Sequence, residues 1–139
     1  MKNVNLSDGE WKIMKVLWKE APRTIAQIVN ELENETGWTK TTVFVMLKRL
    51  IAKDAVRVDD SGRLQEYYPT MRRDDATFGE TESFLSRVYD GSVGMMLSSL
   101  VGGNALSKEE IDDLRKILDE SEARERTSEK ENGQERGGK

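Results

Sequence analysis

The chain has no cysteine and no histidine among its 139 residues. The first absence excludes disulfides, thiolate metal sites and thiol nucleophiles; the second removes the commonest general base and metal ligand. Most routes to enzymatic chemistry close at this point. The scattered serines and carboxylates that remain have no orienting histidine, so no enzyme, metal site or cofactor is expected. Long apolar runs are missing as well. The N-terminus MKNVNLSDGEWK lacks the apolar core of a signal peptide, and no stretch approaches the ~20 apolar residues that span a bilayer. A cytoplasmic protein that does not enter a membrane is the expectation.

The length suits one ordinary domain or two small ones that share the work of burial. The net charge of -4 is unevenly spread. Residues 1–73 carry 13 Lys/Arg against 10 Asp/Glu, whereas residues 74–123 carry 4 against 12. A mildly basic first part and an acidic second part imply that only the first meets a polyanion.

Helix starts are written locally. Ser7 and Glu10 in SDGE, and Thr24 and Gln27 in TIAQ, each have the spacing of a capping box, in which side chain and backbone satisfy each other's orphan donors. Behind them Trp11, Met14, Leu17 and Trp18, then Ile25, Ile28, Val29 and Leu32, recur at helical spacing. The first helix should end near Glu20 and the second at ENETG. A third should start at Thr39, with Trp38 reaching back onto Val43 as a hydrophobic staple. On its wheel Val43, Met46, Leu47, Leu50 and Ile51 form a core side, and Thr41, Val45, Lys48 and Ala52 lie opposite with Thr42 and Arg49 on a flank. Phe44 falls at the border, and burial by neighbouring elements is its expected fate. Trp11, Trp18 and Trp38 are expected in the core.

Next, AVRVDDSGRLQEYYPT alternates on either side of DDSG, the pattern of a hairpin with a loop of a few residues. Three helices and then a hairpin is the order of a winged helix, whose third helix reads DNA and whose hairpin is the wing. From Asp74 the pattern is helical. Phe78, Leu85, Val88 and Tyr89 mark one amphipathic helix, SVGMMLSSLV a second, and a Ser107–Glu110 capping box opens a third with Ile111, Leu114, Ile117 and Leu118. Three such short helices cannot cover their own apolar stripes, so a second copy of the chain should do so, with Met96 and Leu100 of the middle helix in the same interface. The Met95–Met96 pair is adaptable packing rather than a soft-metal site. Residues 123–139 have almost no apolar side chain and are expected to be a disordered tail. The fold class is thus mainly α with a small β-hairpin: a winged helix-turn-helix over 1–73, a helical dimerisation domain over 74–122, and the tail.

The stretches LSDGEWKIMKVLW, WTKTTVFVMLKRLIAKDAV, LQEYYP and LSKEEIDDLRKIL, in that order and spacing, resemble the penicillinase-repressor (BlaI/MecI/CopY) family of transcriptional repressors. The resemblance implies a homodimer that holds a palindromic operator through the third helix and wing. It also implies a family habit, in the best-studied branch, of release by cleavage of an Asn-Phe bond downstream of a membrane sensor. This chain has Ser99 and Leu100 at the corresponding place, so the cleavage route, and with it any regulatory protease or sensor, stays open. The copper-responsive branch uses paired cysteines, which are absent.

On double-stranded operator DNA the expected contacts are Lys40 and the first turn of the third helix to phosphate, and Thr41 and Thr42 to a base edge or phosphate. Val45 would pack on a thymine methyl. Lys48 and Arg49 follow on the outward side, and Arg63 at the wing turn would reach a phosphate or the minor groove. The resemblance adds that relatives more often carry threonine at the position of Val45. The alternative is a winged-helix module that binds a protein partner through Phe44 and Val45 and has no sequence-specific DNA binding.

Overall fold

The computed structural model describes residues 5–137. The chain divides into two compact units, Met1–Val88 and Tyr89–Lys139. In the first, α1 (Asp8–Lys19), α2 (Ile25–Thr36) and α3 (Lys40–Ala52) precede an antiparallel hairpin of β1 (Val56–Asp59) and β2 (Glu66–Pro69), and α4 (Arg73–Tyr89) follows. That is the winged-helix order.

Each start has a local cause. Ser7 and Thr24 cap α1 and α2 with both arms of the capping box formed, and Thr39 caps α3 by accepting from the Thr42 N–H. Gly37 ends α2 in the left-handed region at φ 64°, where a side chain would be strained. Gly9 has a different role. A Cβ there would sit 3.0 Å from Met46 Cε and 3.3 Å from the Trp38 ring, so its absence lets the first turn of α1 close onto α3.

The core lies where α1, α2, α3 and the hairpin converge. Ile13, Met14, Leu17, Ile28, Val43, Leu47 and Leu50 are buried, and Ala55, Val56 and Tyr67 bring the base of the hairpin into the same cluster. Trp11, Trp18, Trp38, Met46 and Ile51 pack on it half-buried. Trp11 and Trp18 meet edge to face, with ring centres 5.8 Å apart, and the Trp18 indole donates to the Met71 carbonyl at 2.9 Å. The hairpin register runs from Val56 opposite Pro69 to Asp59 opposite Glu66. The connection between α1 and α2 adds a rung beyond the hairpin, since Arg23 and Tyr67 exchange backbone hydrogen bonds of 3.2 and 2.8 Å. The sequence gave no sign of that rung, because its partners are 44 residues apart and neither stands in an alternating pattern.

Only the start of α4 joins this core: Ala76 is buried, whereas Phe78 and Val88 are exposed. The compact unit therefore ends at Val88, beyond the boundary at residue 73 drawn from charge and periodicity. In the second unit α5 (Val93–Gly102) is capped by Ser92 and α6 (Lys108–Gly137) by the Ser107–Glu110 box. The two helices have no fully buried side chain among their described residues. The tail differs from expectation, for α6 runs on through it to Gly137. The physical reason is composition: Glu, Arg, Lys and Ala are strong helix formers even where nothing is buried, and Arg126 pairs with Glu122 one turn away at 2.6 Å.

Candidate nucleic-acid interface

The outward side of α3 is a polar and cationic surface with an apolar centre. Lys40, Thr41, Val45, Lys48 and Arg49 are all exposed, and the core side of the same helix is sealed by Val43, Leu47 and Leu50. Thr42 is half-buried and partly committed to the cap: its hydroxyl lies 3.2 Å from that of Thr39. Of the two threonines, Thr41 is the one free to face a ligand. Phe44 corrects an expectation, being 37% exposed rather than covered by its neighbours, with Lys48 Nζ 5.1 Å above its ring. Which flank of a helix is covered depends on where the wing lands, and a helical wheel does not hold that information.

The wing completes a groove. A concavity of about 470 Å³ is lined by Thr24, Ile25 and Ala26 at the start of α2, by Lys40, Thr41 and Phe44 of α3, and by Arg63, Leu64 and Gln65 at the wing tip. Its chemistry is mixed: two cations and the first turn of α2 at the edges, three apolar side chains inside. Leu64, 64% exposed, is the most solvent-facing large apolar residue of the wing. Neither Leu64 nor Gln65 stood out in the sequence, because a loop residue has no periodicity to mark it.

Charge pairing separates this face from the rest of the unit. Lys12 pairs with Glu35, Lys19 with Glu31, Arg23 with Glu20 and Glu31, and Lys53 with Glu10. Lys40, Arg49 and Arg63 have no carboxylate partner among the described residues, and Lys48 has only the Phe44 ring. Arg57 is held against Tyr68, with its guanidinium 4.0 Å from the ring centre. At the wing turn Asp59 is turned inward to the Ser61 hydroxyl and N–H, at 2.6 and 3.0 Å, and these hydrogen bonds hold its carboxyl below the ordinary range. The arrangement can accept a polyanion along the line from Arg63 to Lys40 to Lys48 and Arg49.

One buried charge lies behind this face. Glu10 is 2% exposed, and its Oε1 accepts from Lys53 Nζ at 2.6 Å and from the Ser7 N–H at 2.8 Å. Burial alone would raise its carboxyl, but the hydrogen bonds from Lys53 and Ser7 outweigh it and hold the group below its ordinary value. The sequence marked Glu10 as half of a capping box and said nothing of Lys53.

The side chains expected at a dimer interface are distributed over three helices. Phe78, Val88 and Leu118 are exposed; Leu85, Tyr89, Met96, Leu100, Ile111 and Leu114 are half-buried. Phe84, Val93, Met95, Val101 and Ile117 are further exposed large apolar residues on the same elements. Ser99 and Leu100 lie inside α5.

Comparison with known proteins adds three findings. The family model described as penicillinase repressor matches residues 6–120. The penicillinase repressor of Bacillus licheniformis is 34% identical over 125 residues, covering 89% of this chain and 98% of that one. The methicillin resistance regulatory protein MecI of Staphylococcus aureus is 25% identical over 117 residues, covering 84% and 95%. Among solved structures, Bacillus licheniformis BlaI, a monomeric form in complex with the blaP half-operator, is similar at 34% identity and a TM-score of 0.47, covering 53% of this chain and 90% of that one.

Proposed function

Because the chain belongs to the penicillinase repressor family, whose model spans most of its length, we propose that it is a homodimeric, operator-binding transcriptional repressor. The observation that carries this reading is the segregation of cations: those elsewhere on the first unit are paired with carboxylates, while Lys40, Lys48, Arg49 and Arg63 on one face are not. A surface kept free of internal partners is one that neutralises an external polyanion.

In this reading α3 enters the major groove. Lys40 and Arg63 take phosphates on the two sides of the α3–wing groove, with the first turn of α2 beside them. Thr41 donates or accepts at a base edge, Lys48 and Arg49 contact phosphate or base further along the helix, and Val45 packs on a thymine methyl. Thr42 supports the cap of α3 and contributes less. The first unit is the DNA-binding part, and the apolar residues of α4, α5 and α6 meet those of a second copy, so that two α3 helices address the two halves of a pseudo-palindrome. The protein acts in the cytoplasm, without a catalytic role.

The test is a gel-shift titration with duplexes enriched by the chain from a random-sequence library, at two salt concentrations. A selective shift that weakens steeply with salt is expected. No enrichment, or binding insensitive to salt, would sink the reading. One observation favours a second reading, a protein-docking module: Phe44 and Leu64 present apolar surface at the same groove. Replacing Lys40, Lys48 and Arg49 together by Ala separates the two, because only a DNA reader loses its ligand.

A further inference from the structure

We infer that Glu10 and Lys53 form a latch that sets the pose of α3, so that both are positioning residues for operator selection without touching the operator. The inference rests on the DNA-binding reading above. Lys53 is the C-cap of α3, and its backbone N–H bonds the Arg49 carbonyl at 3.0 Å. Its ammonium leaves the helix and donates to Glu10 Oε1 at 2.6 Å and to the Asn5 carbonyl at 2.8 Å, which fastens the end of α3 to the start of α1. The next residues fasten the same end to the wing. The Thr70 hydroxyl donates to the Asp54 carbonyl at 2.9 Å, and the Thr70 N–H to the Ala55 carbonyl at 2.8 Å. The reading helix, the wing base and the first helix thus share one junction.

Stability alone is a poor reason for that pair. A carboxylate 2% exposed has lost its hydration, and Glu10 Oε2 has no hydrogen bond among the described residues. Apolar side chains of similar size would hold the junction as well or better. What a buried carboxylate with one cation in reach provides is a single geometry, since any other leaves the charge uncompensated. Geometry matters here because α3, with 13 residues, is about 20 Å long. A pivot of about 10° at the latch would move its far end by about 3 Å, enough to break a base contact while leaving phosphate attraction intact.

The test uses the full chain carrying Glu10→Gln, Lys53→Arg, or Glu10→Gln with Lys53→Met. Glutamine keeps the capping box with Ser7, so the first variant removes the charge and not the cap. Affinities are measured for a 30-base-pair duplex enriched by the parent chain and for its scrambled counterpart, with folding checked by circular dichroism at the assay temperature. Glu10→Gln and the double variant are expected to lower the ratio of selective to scrambled binding by about tenfold. Affinity for the scrambled duplex and its salt slope should not change, and Lys53→Arg should keep most of the ratio. If Glu10→Gln fails to fold, the double variant, with no buried charge left, carries the comparison. An unchanged ratio in a folded variant overturns the latch while the DNA reading stands. A salt slope smaller by about one in the double variant also overturns it, because Lys53 would then be touching phosphate itself. Failure of the parent to enrich any duplex overturns the DNA reading and the latch with it.

Discussion

Val45 can touch a thymine methyl but cannot hydrogen-bond, which makes its contribution measurable apart from its neighbours. Replacing thymine by uracil in an enriched duplex removes that methyl and nothing else. One position per half-site is expected to weaken binding about fourfold, from about 0.8 kcal/mol per buried methyl, and Val45→Ala should flatten the difference. A uniform response along the duplex would move Val45 off the reading surface. Lys48→Ala and Arg49→Ala should each weaken all sequences alike and reduce the salt slope by about one if they neutralise phosphate. Glu10 gives a pH signature. Its carboxyl is held below the ordinary 4.5 in the folded chain, so its stabilisation is complete above that value and is lost as pH falls through the folded one. The difference in melting temperature between parent and Glu10→Gln should be full at pH 7 and shrink steadily below about pH 4.5; a constant gap down to pH 3 would mean that the charge contributes nothing. These residues were unequally legible. Val45 and Lys48 could be placed from helical spacing, whereas the Glu10–Lys53 pair spans 43 residues and has no local signature.

At the scale of elements, legibility followed the range of the forces. The starts of α1, α2, α3 and α6 could be placed because the Ser7, Thr24, Thr39 and Ser107 caps are made within three residues. The exposure of Phe44 and the groove beside Leu64 could not, since they arise where a helix and a distant loop happen to meet. The C-terminal part of α6 shows a further limit: a charged, apolar-poor segment satisfies the composition of a disordered tail and that of a solvated helix equally well. Its contribution should be small. The chain cut after Glu122 is expected to melt within about 2 °C of the parent, because an exposed pair such as Arg126–Glu122 is worth only about 0.3–0.5 kcal/mol. A fall of 5 °C or more would show that the segment is covered by something in solution.

For the whole molecule the decisive quantity is the number of chains that grip the DNA. Phe78 is 57% and Leu118 61% exposed, so a glutamate at either would hardly disturb an isolated chain. The full-length protein is expected to sediment as a dimer at micromolar concentration, and Phe78→Glu with Leu118→Glu as a monomer of unchanged fold. That monomer should also lose operator affinity by at least tenfold, because the second half-site is no longer held at high effective concentration. A double variant that stays dimeric would remove these helices from the interface. The exchange of hydrogen bonds between Arg23 and Tyr67 bears on another property of the whole molecule, its behaviour in a crowded solution. A two-stranded hairpin offers two unpaired borders to any passing strand, and that backbone contact occupies one of them at β2. The other border, along β1, carries Arg57 and Asp59, charged side chains of the kind that discourage edge-to-edge stacking. The protein can therefore project its hairpin into solvent without inviting the aggregation that a bare sheet edge would nucleate.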